Sequence, residues 1–107
     1  MSTIPLKNVS VADTFFTKFS GLHNKKLSRS ILLRTHFGIH TLLLKEPIDV
    51  VVLDKQNKVV ALKKSLRPNR LYFWNPKYDR VLELPEGMIT INKIRVGDII
   101  GFPPTRE

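Results

Sequence analysis

The sequence predicts a mostly β protein, a single-domain antiparallel β sandwich or barrel-like fold with one short N-terminal helix. Residues 39–62 contain three apolar segments, which are separated by Glu46-Pro47 and by the polar run 54–58. Apolar segments of about four to eight residues, rich in β-branched side chains and bounded by Pro, Asn and Asp, are typical of strands. The run 50–53 is apolar at every position, which indicates a strand covered on both faces. Many short strands with one brief helix favour a compact sandwich or barrel.

The N-terminal region predicts an edge strand followed by the helix. Residues 4–11 form the strand, with Pro5 near its start, where a missing N–H donor is tolerated. Asp13 or Thr14 then caps the helix, and Gly21 ends it. Its apolar face consists of Phe15, Phe16, Phe19 and Leu22, which follow at helical spacing.

The rest of the chain predicts short strands and turns. The strands are expected at residues 30–34, 39–44, 48–53, 58–66, 79–84 and 99–102. Those at 48–53 and 58–66 form a hairpin, and the second of them turns Lys63 and Lys64 outward. The strand at 79–84 alternates charged and apolar residues, so we expect it to be half-buried. Turns are expected at 85–87 and 95–98, and the β-branched stretch 88–94 predicts one helical turn at most.

Composition limits the classes of protein that this chain can represent. Its 107 residues fit one domain, and we expect flexible ends at residues 1–3 and 103–107. The sequence has no cysteine, which excludes disulfides and thiol catalysis and fits a reducing compartment. No apolar stretch approaches the roughly 20 residues of a membrane helix, and the first residues lack a signal-peptide pattern. We therefore predict a soluble cytoplasmic protein with no membrane span.

The charge is strongly positive and unevenly placed along the chain. The formal net charge is +9, and no acidic residue occurs from Thr14 through Lys45 or from Lys55 through Tyr78. If these two tracts share a face, the surface favours an anionic partner such as nucleic acid or an acidic protein. The alternative is a surface whose charge only keeps the protein in solution.

Aromatic and basic residues occur together in residues 67–78, which we call the aromatic-basic segment. Such side chains can stack on bases while neutralising phosphates. The predicted binding residues are Lys63, Lys64, Arg67, Arg70, Tyr72, Trp74 and Lys77. The alternative is that Phe73 and Trp74 close the open end of the barrel while the charges stay in water.

A weaker hypothesis places a polar site, metal-dependent or catalytic, at His40, Asp49 and Asp54. Imidazole and carboxylate are suitable metal ligands, although the two carboxylates are expected instead to accept nearby backbone N–H groups. The sequence contains no Gly-x-Ser-x-Gly elbow and no phosphate-binding glycine-rich loop. We therefore predict no catalytic residue, no metal and no cofactor, and favour a binding or accessory domain over an enzyme. A purely structural interaction domain is the third alternative.

Nine short motifs occur in an order that resembles the family called domain of unknown function 192. The motifs are Ala12 to Thr14, Gly21-Leu22, His40-Thr41, Pro47 to Asp49, Asp54, Val59-Val60, Leu66 to Pro68, Val81 to Gly87, and Val96 to Asp98. The resemblance covers about residues 9–101 and implies a β-sandwich or barrel-like domain with a helix near its start. It also implies a short helix between Gly87 and Gly97, and no established enzymatic activity. The chain departs from the family pattern at His23, where a methionine is common, and at Leu42 to Leu44, where aromatic residues or methionine are common.

Overall fold

The computed structural model describes residues 3–6, 9–12, 30–35, 38–40 and 46–102, with the backbone alone at 9–12 and 39–40. Within these residues the strands are β1 (Thr3–Pro5), β2 (Val9–Ala12), β3 (Ser30–Arg34), β4 (Ile39–His40), β5 (Ile48–Leu53), β6 (Val59–Leu66), β7 (Leu71–Tyr72), β8 (Arg80–Pro85) and β9 (Ile99–Gly101). One short helix, α1 (Met88–Ile91), follows β8. The described chain is therefore mostly β, as predicted.

A five-stranded sheet forms the centre of the molecule, with strand order β2-β3-β8-β5-β6. Strands β3, β8, β5 and β6 pair antiparallel, whereas β2 pairs parallel with β3. Two smaller sheets accompany it: β1 pairs parallel with β9, and β4 pairs antiparallel with β7. Strand β5 is buried along its whole length because it lies between β8 and β6 and both of its faces are covered.

The strand register defines two faces of this sheet. Val50 lies between Glu83 of β8 and Lys63 of β6, and Val51 lies between Leu82 and Leu62. Directly paired residues share a face, and successive residues alternate between faces. We call these the Val50 face and the Val51 face. The Val50 face packs Leu33, Ile48, Val50, Val52, Leu66 and Val81 with partly buried Tyr72, Trp74 and Tyr78.

The Val51 face carries α1 and the final strand. Its buried cluster is Leu6, Val51, Leu53, Val59, Leu82, Leu84, Ile89, Ile94 and Ile100. The helix is only four residues long and begins after Gly87, whose φ of 94° places it in the left-handed region. A helix this short is not stable through its own hydrogen bonds, so packing of Ile89 into the cluster holds it.

Asp49 connects the helix to the edge of the sheet. Its side chain is 1% exposed, and its Oδ2 accepts hydrogen bonds from the N–H groups of Gly87 (3.1 Å) and Ile89 (2.9 Å). Its Oδ1 accepts a hydrogen bond from the Ser65 N–H at 3.0 Å. Ser65 has a φ of 53° at an irregularity in the β5–β6 pairing. One carboxylate thus accepts hydrogen bonds from a backbone N–H group of the bulge and from two N–H groups at the start of α1.

Most of the predicted strands are found, and two expectations need correction. The segment predicted as one edge strand at 4–11 contains two strands in different sheets, because β1 pairs with β9 and β2 pairs with β3. The strand predicted as half-buried at 79–84 is β8, in which Val81 to Leu84 are all buried. Its charged residues Arg80 and Glu83 suggested an exposed face, but β8 lies between β3 and β5, and both of its faces are covered.

The remaining fold predictions have mixed outcomes. The single helical turn after Gly87 is confirmed as α1, and the hairpin of β5 and β6 is confirmed. The predicted N-terminal helix lies outside the described residues, and the described helix is at Met88–Ile91 instead. The described strands do not establish a closed barrel or a sandwich, which stay predictions.

Candidate anion-binding surface

Acidic and basic side chains are placed differently in the described part of the chain. Asp49, Glu83 and Asp98 are buried, and only Glu46 and Glu86 are exposed among the acidic residues described. The exposed basic residues are Arg34, Lys55, Lys63, Lys64, Arg67, Arg70, Lys77, Lys93 and Arg95. The exposed surface of this part is therefore more one-sided in charge than the composition alone indicates.

Several carboxylates are occupied by backbone hydrogen bonds. The Oδ1 atom of Asp54 accepts hydrogen bonds from the N–H groups of Gln56 (2.8 Å) and Lys58 (2.9 Å) in the β5–β6 turn. The Oδ2 atom of Asp98 accepts a hydrogen bond from the Arg95 N–H at 2.9 Å. With Asp49 bonded to three N–H groups, these acids act as caps inside the fold, and the cations remain at the surface.

The two lysines of β6 lie on opposite sides of the sheet. Lys63 pairs with Val50 and therefore belongs to the Val50 face. Lys64 is the next residue of the strand, so its side chain leaves from the other face. Both are exposed at the edge of the five-stranded sheet, as predicted. Lys63 is thus on the face that also carries the aromatic side chains, and Lys64 is not.

The aromatic side chains of residues 72–74 have different environments. Tyr72 and Trp74 are partly buried and pack against the core of the Val50 face, with ring centroids 5.9 Å apart. Phe73, between them, is 66% exposed. The exposure of Phe73 contradicts the alternative in which Phe73 and Trp74 close the open end of a barrel, and for the partly buried Trp74 that role stays a prediction. Exposure alternates along residues 71–74, as in an extended chain, although β7 itself ends at Tyr72.

Hydrogen bonds hold the end of the aromatic-basic segment in place. The indole N–H of Trp74 donates to the Tyr78 carbonyl oxygen at 2.8 Å. The Tyr78 N–H donates to the Asn75 carbonyl oxygen at 3.0 Å, and the Lys77 N–H donates to the Asn75 Oδ1 at 3.0 Å. Asparagine commonly closes turns in this way. The segment therefore presents its exposed side chains from a fixed backbone.

Two further interactions belong to the same segment. Burial raises the pKa of the Tyr72 hydroxyl above its usual 10.0, so Tyr72 is neutral at physiological pH. The Lys77 Nζ atom lies 5.7 Å from the centroid of the Tyr78 ring, a cation–π distance that orients the lysine on the surface.

The predicted polar site is not assembled from its two carboxylates. Asp49 points into the Val51 face near α1, whereas Asp54 follows the other end of β5. Five steps along the strand separate their Cα atoms by roughly 16 Å. The backbone of His40 pairs with Leu71, and its side chain lies outside the described residues. Among the described residues, no group of three or more potential ligands could hold a metal ion.

Gly38 and Phe73 form a contact that the sequence analysis did not single out. Gly38 has a φ of 112°, and a Cβ atom there would lie 2.5 Å from the Tyr72 carbonyl oxygen and 2.8 Å from the Phe73 Cδ1. An isolated glycine beside a strand signals a close approach, but not the residue that approaches it. A signal in the sequence could have identified Phe73. In an extended chain alternate side chains lie on opposite faces, so residues 71–74 would place Leu71 and Phe73 on one face and Tyr72 and Trp74 on the other.

No helix in the described residues is both long enough and apolar enough to cross a membrane.

The described residues form a mostly β fold with exposed cations and, among the aromatic side chains described, one that is exposed. The chain belongs to the family domain of unknown function 192, described as Uncharacterized ACR, whose model matches residues 3–102. It is similar to a UPF0127 protein of Thermococcus kodakarensis, with 32% identity over 106 residues that cover 92% of this chain and 67% of that protein. The resemblance seen in the sequence is therefore confirmed.

Solved structures share the fold. A protein of unknown function from Novosphingobium aromaticivorans superposes with a TM-score of 0.70 at 15% identity, over 83% of this chain and 70% of that one. A candidate transcription regulator from Sinorhizobium meliloti has a TM-score of 0.68 at 14% identity, over 83% and 76%. At these identities the similarity concerns the fold alone.

Proposed function

We propose that the protein is a binding domain whose aromatic-basic surface contacts an anionic partner. This surface consists of Lys63, Arg67, Arg70, Tyr72, Trp74 and Lys77, with Lys64 at the opposite side of the same edge. The observation that carries the proposal is the separation of charge, in which acids are used as internal caps and cations are exposed. Exposed surface cations attract polyanions and increase their rate of association.

A salt titration of binding tests the proposal. The probes are a fluorescein-labelled single-stranded 15-mer of mixed sequence, as DNA and as RNA, and labelled poly-glutamate. We expect a dissociation constant near the micromolar range at about 50 mM salt. The logarithm of the binding constant should fall linearly with the logarithm of the salt concentration, because binding releases counterions from the polyanion. Binding of none of these probes at low salt would contradict the proposal.

Charge reversal locates the surface. The double variant Lys63→Glu with Lys77→Glu removes two exposed cations of the aromatic-basic surface. The matched control, Lys55→Glu with Lys93→Glu, makes the same change in net charge at positions that are also exposed but lie outside this surface. We expect the affinity of the first variant to fall at least tenfold, and the slope of log binding constant against log salt to become shallower by about two. The affinity of the control should fall about twofold. Equal losses in the two variants would show that only net charge matters.

The metal-dependent alternative at His40 stays a prediction. Native mass spectrometry with zinc, nickel and manganese would test it, and a stoichiometric ion that is lost in His40→Ala would favour it. A cytoplasmic location is likewise a prediction that rests on the cysteine-free sequence.

A further inference from the structure

We propose that the anionic partner is single-stranded nucleic acid, and that Phe73 is the platform on which an unpaired base stacks. This inference rests on the proposed function and adds the class of partner and the residue that recognises it. Phe73 was not among the predicted binding residues, and its role follows from its position in the structure.

The first observation is that Phe73 is the aromatic side chain of residues 72–74 that faces outward. It is 66% exposed, whereas Tyr72 and Trp74 pack against the core of the Val50 face. The indole N–H of Trp74 is already bonded to the Tyr78 carbonyl oxygen. Stacking on a base requires an open ring face, so Phe73 is better placed for it than Trp74.

The second observation is that the exposed ring rests on a fixed support. A Cβ atom at Gly38 would lie 2.8 Å from the Phe73 Cδ1 and 3.3 Å from the Phe73 Cα. Because Gly38 has no side chain, the edge of the ring can lie directly against the buried backbone of Gly38. An aromatic side chain that is already held in place loses less conformational entropy when a ligand binds.

The third observation is the charge around the ring. Arg70 and Lys77 are exposed on the two sides of Phe73 in sequence, and no acidic residue occurs from Lys55 through Tyr78. Lys63 is exposed at the edge of the Val50 face, which Tyr72 and Trp74 cover. A ligand that has a planar ring and repeated negative charges could contact both the exposed Phe73 ring and the cations around it.

Single-stranded nucleic acid fits these features better than the other anionic polymers. An acidic protein supplies the charge but few planar rings, and a duplex keeps its bases stacked inside the helix. An unpaired strand exposes both the bases and the phosphates. The recognition that we infer is tolerant of sequence, because every base has a face that can stack.

Three probes of matched charge separate base stacking from charge attraction. Binding is measured by fluorescence anisotropy with labelled dT15, with a 15-unit abasic oligonucleotide that has the same phosphates, and with poly-glutamate. We expect dT15 to bind at least tenfold more tightly than the abasic strand. Equal affinity for dT15 and the abasic strand would overturn the inference but leave the proposed function standing. Tighter binding of poly-glutamate than of dT15 would overturn it in favour of an acidic protein, and no binding of any probe would overturn both.

Substitution of the platform gives the residue-level test. Phe73→Ala should weaken dT15 binding by about 5- to 100-fold and leave binding of the abasic strand unchanged, whereas Phe73→Trp should retain tight binding. The control is Leu71→Ala, which removes another exposed apolar side chain, 64% exposed, from the same side of the extended chain. We expect the control to change affinity by less than twofold. Equal losses for Phe73→Ala and Leu71→Ala, or unchanged binding in Phe73→Ala, would overturn the role of the ring.

Discussion

At the residue scale, the functions of the acidic side chains differ from what their chemistry first indicates. Asp49 and Asp54 were considered as components of a polar site, yet both carboxylates accept backbone N–H groups. The prediction that they bind local backbone N–H groups is confirmed for Asp54 and wrong for Asp49. For Asp54 the bonded groups are local, whereas for Asp49 they come from β6 and from the start of α1. Sequence could predict the first arrangement but not the second, because the partners of Asp49 lie 16 to 40 positions away.

Asp49→Asn tests how much this carboxylate stabilises the fold. The amide has one acceptor oxygen and directs an NH2 group toward backbone donors, so at least one backbone N–H loses its partner. We expect the free energy of unfolding to fall by about 3 kcal/mol, since hydrogen bonds to buried charged groups are among the stronger ones. Urea denaturation measures the change. In the control, Asp54→Asn, the carboxylate is less buried, and we expect a loss of about 1 kcal/mol. A smaller loss for Asp49→Asn than for Asp54→Asn would contradict this account.

At the element scale, burial was harder to predict from sequence than strand position. The segments 30–34 and 48–53 were predicted as strands with the bounds that β3 and β5 have. The uniform apolar run of β5 also predicted that both of its faces are covered. In β8 the charged residue Glu83 suggested an exposed face, but Glu83 is fully buried because the strand order places β8 between β3 and β5. The local pattern of residues along a strand indicates which of them lie on the same face of the sheet. Whether that face is buried depends on the neighbouring strands, which are set by long-range pairing.

The junction of β4 and β7 gives a prediction at this scale. Gly38→Ala should destabilise the protein and displace Phe73, because the added methyl group would meet the Tyr72 carbonyl oxygen at 2.5 Å. The matched control is Gly97→Ala, since Gly97 also has a positive φ (99°) but no atom within 4 Å of the added Cβ. Backbone strain of roughly 1 kcal/mol applies to both variants, and the steric conflict should add about 2 kcal/mol or more at Gly38.

Thermal and urea unfolding of the two glycine variants measures this difference. If our account of the junction is right, Gly38→Ala unfolds at lower urea than Gly97→Ala. A result in which both variants lose the same stability would mean that Gly38 is needed only for its backbone conformation, and that Phe73 does not rest on it.

At the scale of the whole molecule, the positive charge predicted from composition is distributed by the fold. An anionic partner was expected if the two acid-free tracts share a face, and most of the first tract lies outside the described residues. Within the described residues, exposed cations are found at Lys63 and in the aromatic-basic segment, but also at Lys55, Lys64, Lys93 and Arg95. The sequence could not predict this arrangement, because the direction in which each side chain leaves depends on register and on the turns. The aromatic side chains, and not the cations alone, distinguish the Val50 face from the Val51 face.

Mapping of the contact surface by NMR tests the central claim most directly. Amide shifts of the ¹⁵N-labelled protein are followed during titration with dT15 at low salt. We predict that the largest changes occur at Lys63 and throughout residues 67–78, with Phe73 and Lys77 prominent, and that residues 93–96 change little. The largest changes at residues 93–96, or changes of equal size around the whole surface, would contradict the assignment of the aromatic-basic surface as the binding site.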